Sequence, residues 1–154
     1  MKVHRILLAE DSDNDAELTL AAMAEHGMAN HIDRVRDGVE ALQYLRCEGP
    51  WSERSQSDPV VVLLDLKMPR LGGLETLAEI RGDAVLRRTP VVILTSSREE
   101  SDLIKSYDLG VNAYVVKPVG FEEFSKAVHD IGCFWVLINE MPPLGSRESK
   151  AGEG

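Results

Sequence analysis

Four apolar runs in the sequence end on side chains that could do chemistry. "RILLA" (5–9) runs into Glu10 and Asp11, "VVVLL" (60–64) into Asp65, "PVVIL" (90–94) into Thr95, and "NAYVV" (112–116) into Lys117. Carboxylates brought together repel: a pair about 4 Å apart costs around 1 kcal/mol in water and around 4 kcal/mol at a protein-like effective dielectric. A hard cation relieves that cost, and an all-oxygen donor set without His or Cys suits Mg2+. A lysine can neutralise a carboxylate or hold a phosphoryl oxygen as a compact point charge, and a threonine hydroxyl can donate to the same oxygen. Carboxylate, divalent cation, ammonium and hydroxyl together describe phosphoryl transfer onto an aspartate. Taken singly, each acid reads as a helix N-cap or a solvated charge, and Lys117 as a surface lysine. Their recurrence after apolar runs is what favours a site.

Such residues converge only if the runs are strands of one sheet. Between them lie segments of helical character: "DNDAELTLAAMAEHG" (13–27), "DGVEALQYLR" (37–46), "GGLETLAEIRG" (72–82), "REESDLIKSYDLG" (98–110) and "FEEFSKAVHDIGCFWVLI" (121–138). Asp and Asn at the first start and glycines at the ends of the first and fourth are fitting caps. In the first helix Leu18, Ala21, Ala22 and Glu25 fall at helical spacing; in the second, Val39, Leu42 and Leu45 do. "NHIDRV" (30–35) is a weakly alternating strand, and "CEGPWSERSQSDP" (47–59) reads as a long polar surface loop. The runs "VVVLLD" (60–65) and "PVVILT" (90–95) are continuously apolar, as in parallel strands covered on both faces. Strand and helix alternate five times, which predicts an α/β fold with a parallel sheet and right-handed crossovers. In such a sheet ligands bind beyond the carboxyl ends of the strands, where the five residues stand.

Composition narrows the function. The 154 residues suit one domain, and a net charge of −9 disfavours nucleic acid as a partner, since that affinity is built from Lys and Arg. Cys47 and Cys133 form no metal or disulfide pattern and read as reduced thiols. His4, His26, His31 and His129 are scattered without ligand spacing. "MKVHRILLAED" turns acidic too early for a signal peptide, and no apolar run approaches membrane-spanning length. A cytoplasmic protein without membrane contact is expected.

The motifs "ED" (10–11), "DLKMPRLGG" (65–73), Thr95 and "KP" (117–118) resemble the signature of the response-regulator receiver domain. The resemblance implies a flavodoxin-like, doubly wound (βα)5 fold with strand order 2-1-3-4-5. It implies that Asp65 accepts a phosphoryl group from a histidine kinase. Asp11, Asp65 and the Lys67 carbonyl would then hold Mg2+, with Glu10 reaching it through water. Thr95 and Lys117 would contact the phosphoryl oxygens, and Lys117–Pro118 would be a cis peptide. Tyr114 matches the aromatic switch position; its other reading is a half-packed strand residue. The implied enzymology stops at slow self-phosphorylation and self-dephosphorylation.

The last helix carries a core stripe of Phe124, Val128, Ile131, Trp135 and Ile138. "CFWVLI" (133–138) is nevertheless apolar all round, so Phe134, Trp135, Val136, Leu137 and Ile138 are expected to form a homodimer interface with the "NEMPP" extension. The alternative is that this end folds back on its own domain. The expected receiver spans 4–141, its last helix extended, and 142–154 form a polar disordered tail. Trp51 in its long loop, the first helix and the "FWVLINEMPP" ending resemble the subgroup of regulators that partner phytochrome histidine kinases. Two other readings stand beside this one: an aspartate-nucleophile phosphatase, which would place a second acid where Lys67 stands, and an interaction module that never takes phosphate.

Overall fold

The computed structural model describes residues 5–24, 32–54, 59–117, 122–123 and 126. Strands β1 (Ile6–Ala9), β2 (Ile32–Val35), β3 (Val61–Leu64), β4 (Val91–Thr95) and β5 (Ala113–Val116) form one parallel sheet in the order β2-β1-β3-β4-β5. The order expected from the resemblance is the one observed. The chain winds outward from β1 to β2, then crosses back to β3 and continues the other way, so the switch in strand order lies between β1 and β3.

Helices α1 (Asp13–Ala24), α2 (Gly38–Arg46), α3 (Gly73–Gly82) and α4 (Glu100–Asp108) follow the first four strands. Beyond β5, Glu122, Glu123 and Lys126 are helical and exposed. The rest of the expected last helix lies outside the described residues, with its five interface candidates, Pro118, Cys133, the four histidines, Gly27 and the tail.

The continuous apolar runs are explained by burial on both faces. Successive strand side chains point to opposite sides, and each side has its own core. Leu7, Ala9, Val62, Leu64, Val91 and Ile93 pack with Leu42, Leu45, Leu77 and Ile80 of α2 and α3. Ile6, Leu8, Val61, Leu63, Val92 and Leu94 pack with Ala16 and Met23 of α1.

Three details go beyond the sequence reading. The inward residues of α1 are Ala16, Thr19 and Met23, while Leu18 is 62% exposed. Helix α4 buries Ser106 and turns Leu103, Ile104 and Tyr107 outward. The polar loop after α2 is pinned as far as Arg54. A 3-10 turn, Gly49–Trp51, sets the Trp51 ring edge-on to Tyr44 at 4.9 Å, and the Arg54 guanidinium lies 4.3 Å from the Tyr44 ring centre while its Nε donates to the Tyr44 carbonyl.

Candidate functional site

Glu10 and Asp65 are neighbours because their strands are in register. Ala9 stands opposite Leu64, so the next residue on each strand emerges at the same edge, and the Asp65 N–H still donates to the Ala9 carbonyl at 3.1 Å. The sheet grips both: Glu10 is 1% and Asp65 8% exposed, while Asp11 is open to solvent. One carboxylate oxygen from each of Glu10, Asp11 and Asp65 lies within 4.8 Å of the others. Two withdrawn acids and one exposed one, all hard oxygen donors, fit a divalent cation with solvent access.

Lys117 arrives from β5, its N–H donating to the Thr95 carbonyl at 2.8 Å. Its ammonium donates to Glu10 Oε1 at 2.5 Å, Asp15 Oδ2 at 2.8 Å and Asp65 Oδ2 at 3.2 Å. All three ammonium donors are therefore engaged, which aims a side chain that is 9% exposed. Burial opposes its charge, but the bonds to Asp15 and Glu10 and the fields of Asp65 and Glu10 outweigh it, so its pKa is raised. For Glu10 the balance falls on the side of burial. Burial, with the Asp65 charge beside it, pushes its pKa up to about 7, against the pull of Lys117.

Thr95 is fully buried on the strand next to Asp65. Its hydroxyl oxygen accepts from the Ser97 N–H at 3.2 Å, which leaves its proton free to donate elsewhere. The Lys67 side chain is exposed and its N–H reaches toward Asp65 Oδ1 at 3.4 Å. Tyr114 is half-buried against the core, and its hydroxyl donates to the Ser97 carbonyl at 3.2 Å. Tyr114 is thus the half-packed strand residue of its other reading, and it is also hydrogen-bonded to the loop that follows Thr95.

Other groups escaped sequence reading. Asp15 was one acid among many in "EDSDND", and only the fold shows that it faces Lys117. Arg34 grips the Glu10 carbonyl with Nε at 3.0 Å and Nη2 at 2.7 Å, and pairs with Asp13. Gly73 has a steric reason that "LGG" did not reveal. A Cβ there would stand 2.3 Å from the Asp65 carbonyl oxygen and 2.7 Å from Leu66 Cα, so glycine lets α3 start directly against the Asp65 backbone.

Residues 6–129 match the family described as the response regulator receiver domain. The chain belongs to that family. It is similar to the response regulator Rcp1 of Synechocystis, 36% identical over 137 residues that cover 89% of this chain and 92% of Rcp1. Among solved structures it is similar to the bacteriophytochrome response regulator RtBRR, with 49% identity and a TM-score of 0.80 over 97% of this chain and 90% of that one. The phosphorylated cyanobacterial phytochrome response regulator RcpA shares 39% identity and a TM-score of 0.75 over 92% of this chain and 99% of that one. A Mn2+-bound form of Rcp1 matches with a TM-score of 0.72 at 35% identity, over 90% of this chain and 99% of that one. Chemistry and family agree: this is a phosphoacceptor domain of two-component signalling, and its acidic cluster suits a divalent cation. Among the described residues no helix is long and apolar enough to cross a membrane.

Proposed function

We propose that Asp65 is the phosphoacceptor and that a histidine kinase of the phytochrome type is the donor. The observation that carries this reading is the convergence of Lys117 on Asp65, Glu10 and Asp15 beside the open carboxylate of Asp11. An Asp65 carboxylate oxygen attacks the phosphorus of a phosphohistidine. The P–O bond forms as the P–N bond breaks, and the released electron pair stays on the imidazole, which takes up a proton.

Mg2+ is the proposed cation, held by Asp11, Asp65 and the Lys67 carbonyl with Glu10 through water, and it would supply positive charge against the phosphoryl oxygens. Lys117 holds its ammonium at the same carboxylate, ready to follow the new oxygens. The free proton of Thr95 is the second donor. A phosphoryl group adds roughly −1.5 to −2 charges. We read the chain Thr95–Ser97–Tyr114 as the path by which that charge shifts Tyr114 and the adjoining α4 surface.

Further parts of the proposal rest on sequence alone. The receiver spans 4–141 with 142–154 as a tail, Lys117–Pro118 is cis, and the protein is cytoplasmic. Phe134, Trp135, Val136, Leu137 and Ile138 join two copies. Kinship with regulators named for phytochromes supports the kinase class.

Incubation with Mg2+ and a small acyl phosphate, followed by intact mass, tests the chemistry. One labile phosphoryl group on the wild type and none on Asp65→Asn is expected. Continuous turnover of phosphate esters without a modified protein would overturn it. Light scattering tests the dimer, which a monomer at all working concentrations would reject.

A further inference from the structure

The residue after β2 and those around it touch both loops of the acidic site. Arg34 and Arg36 hold the β1–α1 loop and the start of α1: both guanidiniums reach Asp13 Oδ1 at 2.8 Å, and Arg34 grips the Glu10 carbonyl. The next residues hold the β3–α3 loop. Asp37 takes a two-point ion pair from Arg70, Nε to Oδ2 at 2.9 Å and Nη2 to Oδ1 at 3.2 Å, and the Gly38 N–H donates to the Leu71 carbonyl at 3.1 Å. Asp37 is 7% exposed and also caps α2, accepting from the Glu40 N–H at 2.8 Å. Gly38 is packed so closely that a Cβ would stand 2.0 Å from Thr76 Oγ1 and 2.5 Å from the Leu71 carbonyl.

Arg70 itself is in an unusual backbone state. Its φ is 65°, and the Leu71 N–H donates back to the Pro69 carbonyl at 2.7 Å. That is the positive-φ three-residue turn, a rare and strained form for a residue bearing a Cβ. Strain of this kind persists where the surroundings over-determine it, commonly at functional sites. Here the surroundings are Asp37 and Gly38, and the strained turn lies three residues beyond Lys67.

We propose that Arg70 is a positioning residue: clamped by Asp37, it fixes the loop that presents the Lys67 carbonyl, while Arg34 and Arg36 fix the opposite loop, so that Arg34–Gly38 sets the span of the cation site. The inference rests on the reading of Glu10, Asp11, Asp65 and the Lys67 carbonyl as the Mg2+ site. It assigns to Arg70 and Asp37 a part that neither plays by touching the metal.

Two variants isolate the clamp without unfolding the protein. Arg70→Gly removes the ion pair while supplying the residue best suited to positive φ. Asp37→Asn removes the charge while keeping an equally good N-cap. Titration calorimetry with Mg2+ is expected to show affinity about tenfold weaker in both, at the low end of what lost outer partners of a metal site cost. Melting temperatures should stay near that of the wild type. Arg70→Lys should recover part of the affinity through a single charged contact. In the metal-free protein, amide hydrogen exchange at Gly38 should quicken in Arg70→Gly, a change that loss of a helix cap would not cause there. Wild-type affinity and wild-type Gly38 exchange in both variants would overturn the clamp, provided wild type binds Mg2+ and Asp65→Asn does not. Absence of Mg2+ binding by the wild type would overturn the metal reading and the clamp with it.

Discussion

Lys117 Nζ and Glu10 Oε1 lie 2.5 Å apart, on side chains that are 9% and 1% exposed. The pair is buried enough for its loss to be felt, yet it sits in a pocket that also holds Asp15 and Asp65. Removing one partner of a buried pair leaves the other charge uncompensated, at a cost of about 3–5 kcal/mol. Asp15, which is 38% exposed, moderates that figure here. Lys117→Ala is therefore expected to lower the stability of the metal-free protein by about 3 kcal/mol in urea unfolding. Added Mg2+ should restore much of the loss, since it replaces the missing positive charge. An unchanged midpoint without metal would show that Lys117 is not held as described.

The raised pKa of Glu10 gives a pH signature. Folding lifts it from 4.5 to about 7, so between those values the folded state binds more protons than the unfolded one. Stability of the metal-free protein then falls as pH rises through that window. Mg2+ binding has the reverse preference, because ligating carboxylates must be deprotonated. Thermal unfolding from pH 4.5 to 7.5 should show the decline in the wild type and a flatter profile in Glu10→Gln. Equal slopes would place the titrating group elsewhere.

Gly73 supplies a steric test. Alanine is the better helix former by about 1 kcal/mol, so Gly73→Ala would stabilise an unencumbered helix start. Its Cβ would instead meet the backbone of Asp65 and Leu66, which has little room to yield. Overpacking of that kind costs about 1–3 kcal/mol. A net loss of stability together with weaker Mg2+ binding is expected, and a stabilised variant of unchanged affinity would contradict the close approach.

Much of this architecture was legible in the sequence for a simple reason. Strands covered on both faces must be continuously apolar, and the first polar residue after each of β1 and β3 marks the site edge, as Glu10 and Asp65 do. The inward face of α1 was not legible, because Ala16 and Thr19 differ little in hydropathy from residues that face water, and Leu18 drew attention to the wrong side. Asp15 was hidden by its acidic neighbours, since composition cannot say which carboxylate a distant lysine will meet. The ion pair between Asp37 and Arg70 joins residues far apart in the chain, and such pairs leave no periodic trace. The Arg54–Tyr44 stacking that pins the loop after α2 is of the same kind.

The central claim is that one carboxylate, Asp65, carries the phosphoryl group. Transfer from a phosphorylated histidine kinase, followed by borohydride reduction and peptide mass analysis, tests it most directly. The account predicts one reduced aspartyl phosphate, located at Asp65 and lost in Asp65→Asn. A phosphoryl group mapped to Asp11 or Asp15, or equal transfer to Asp65→Asn, would contradict it.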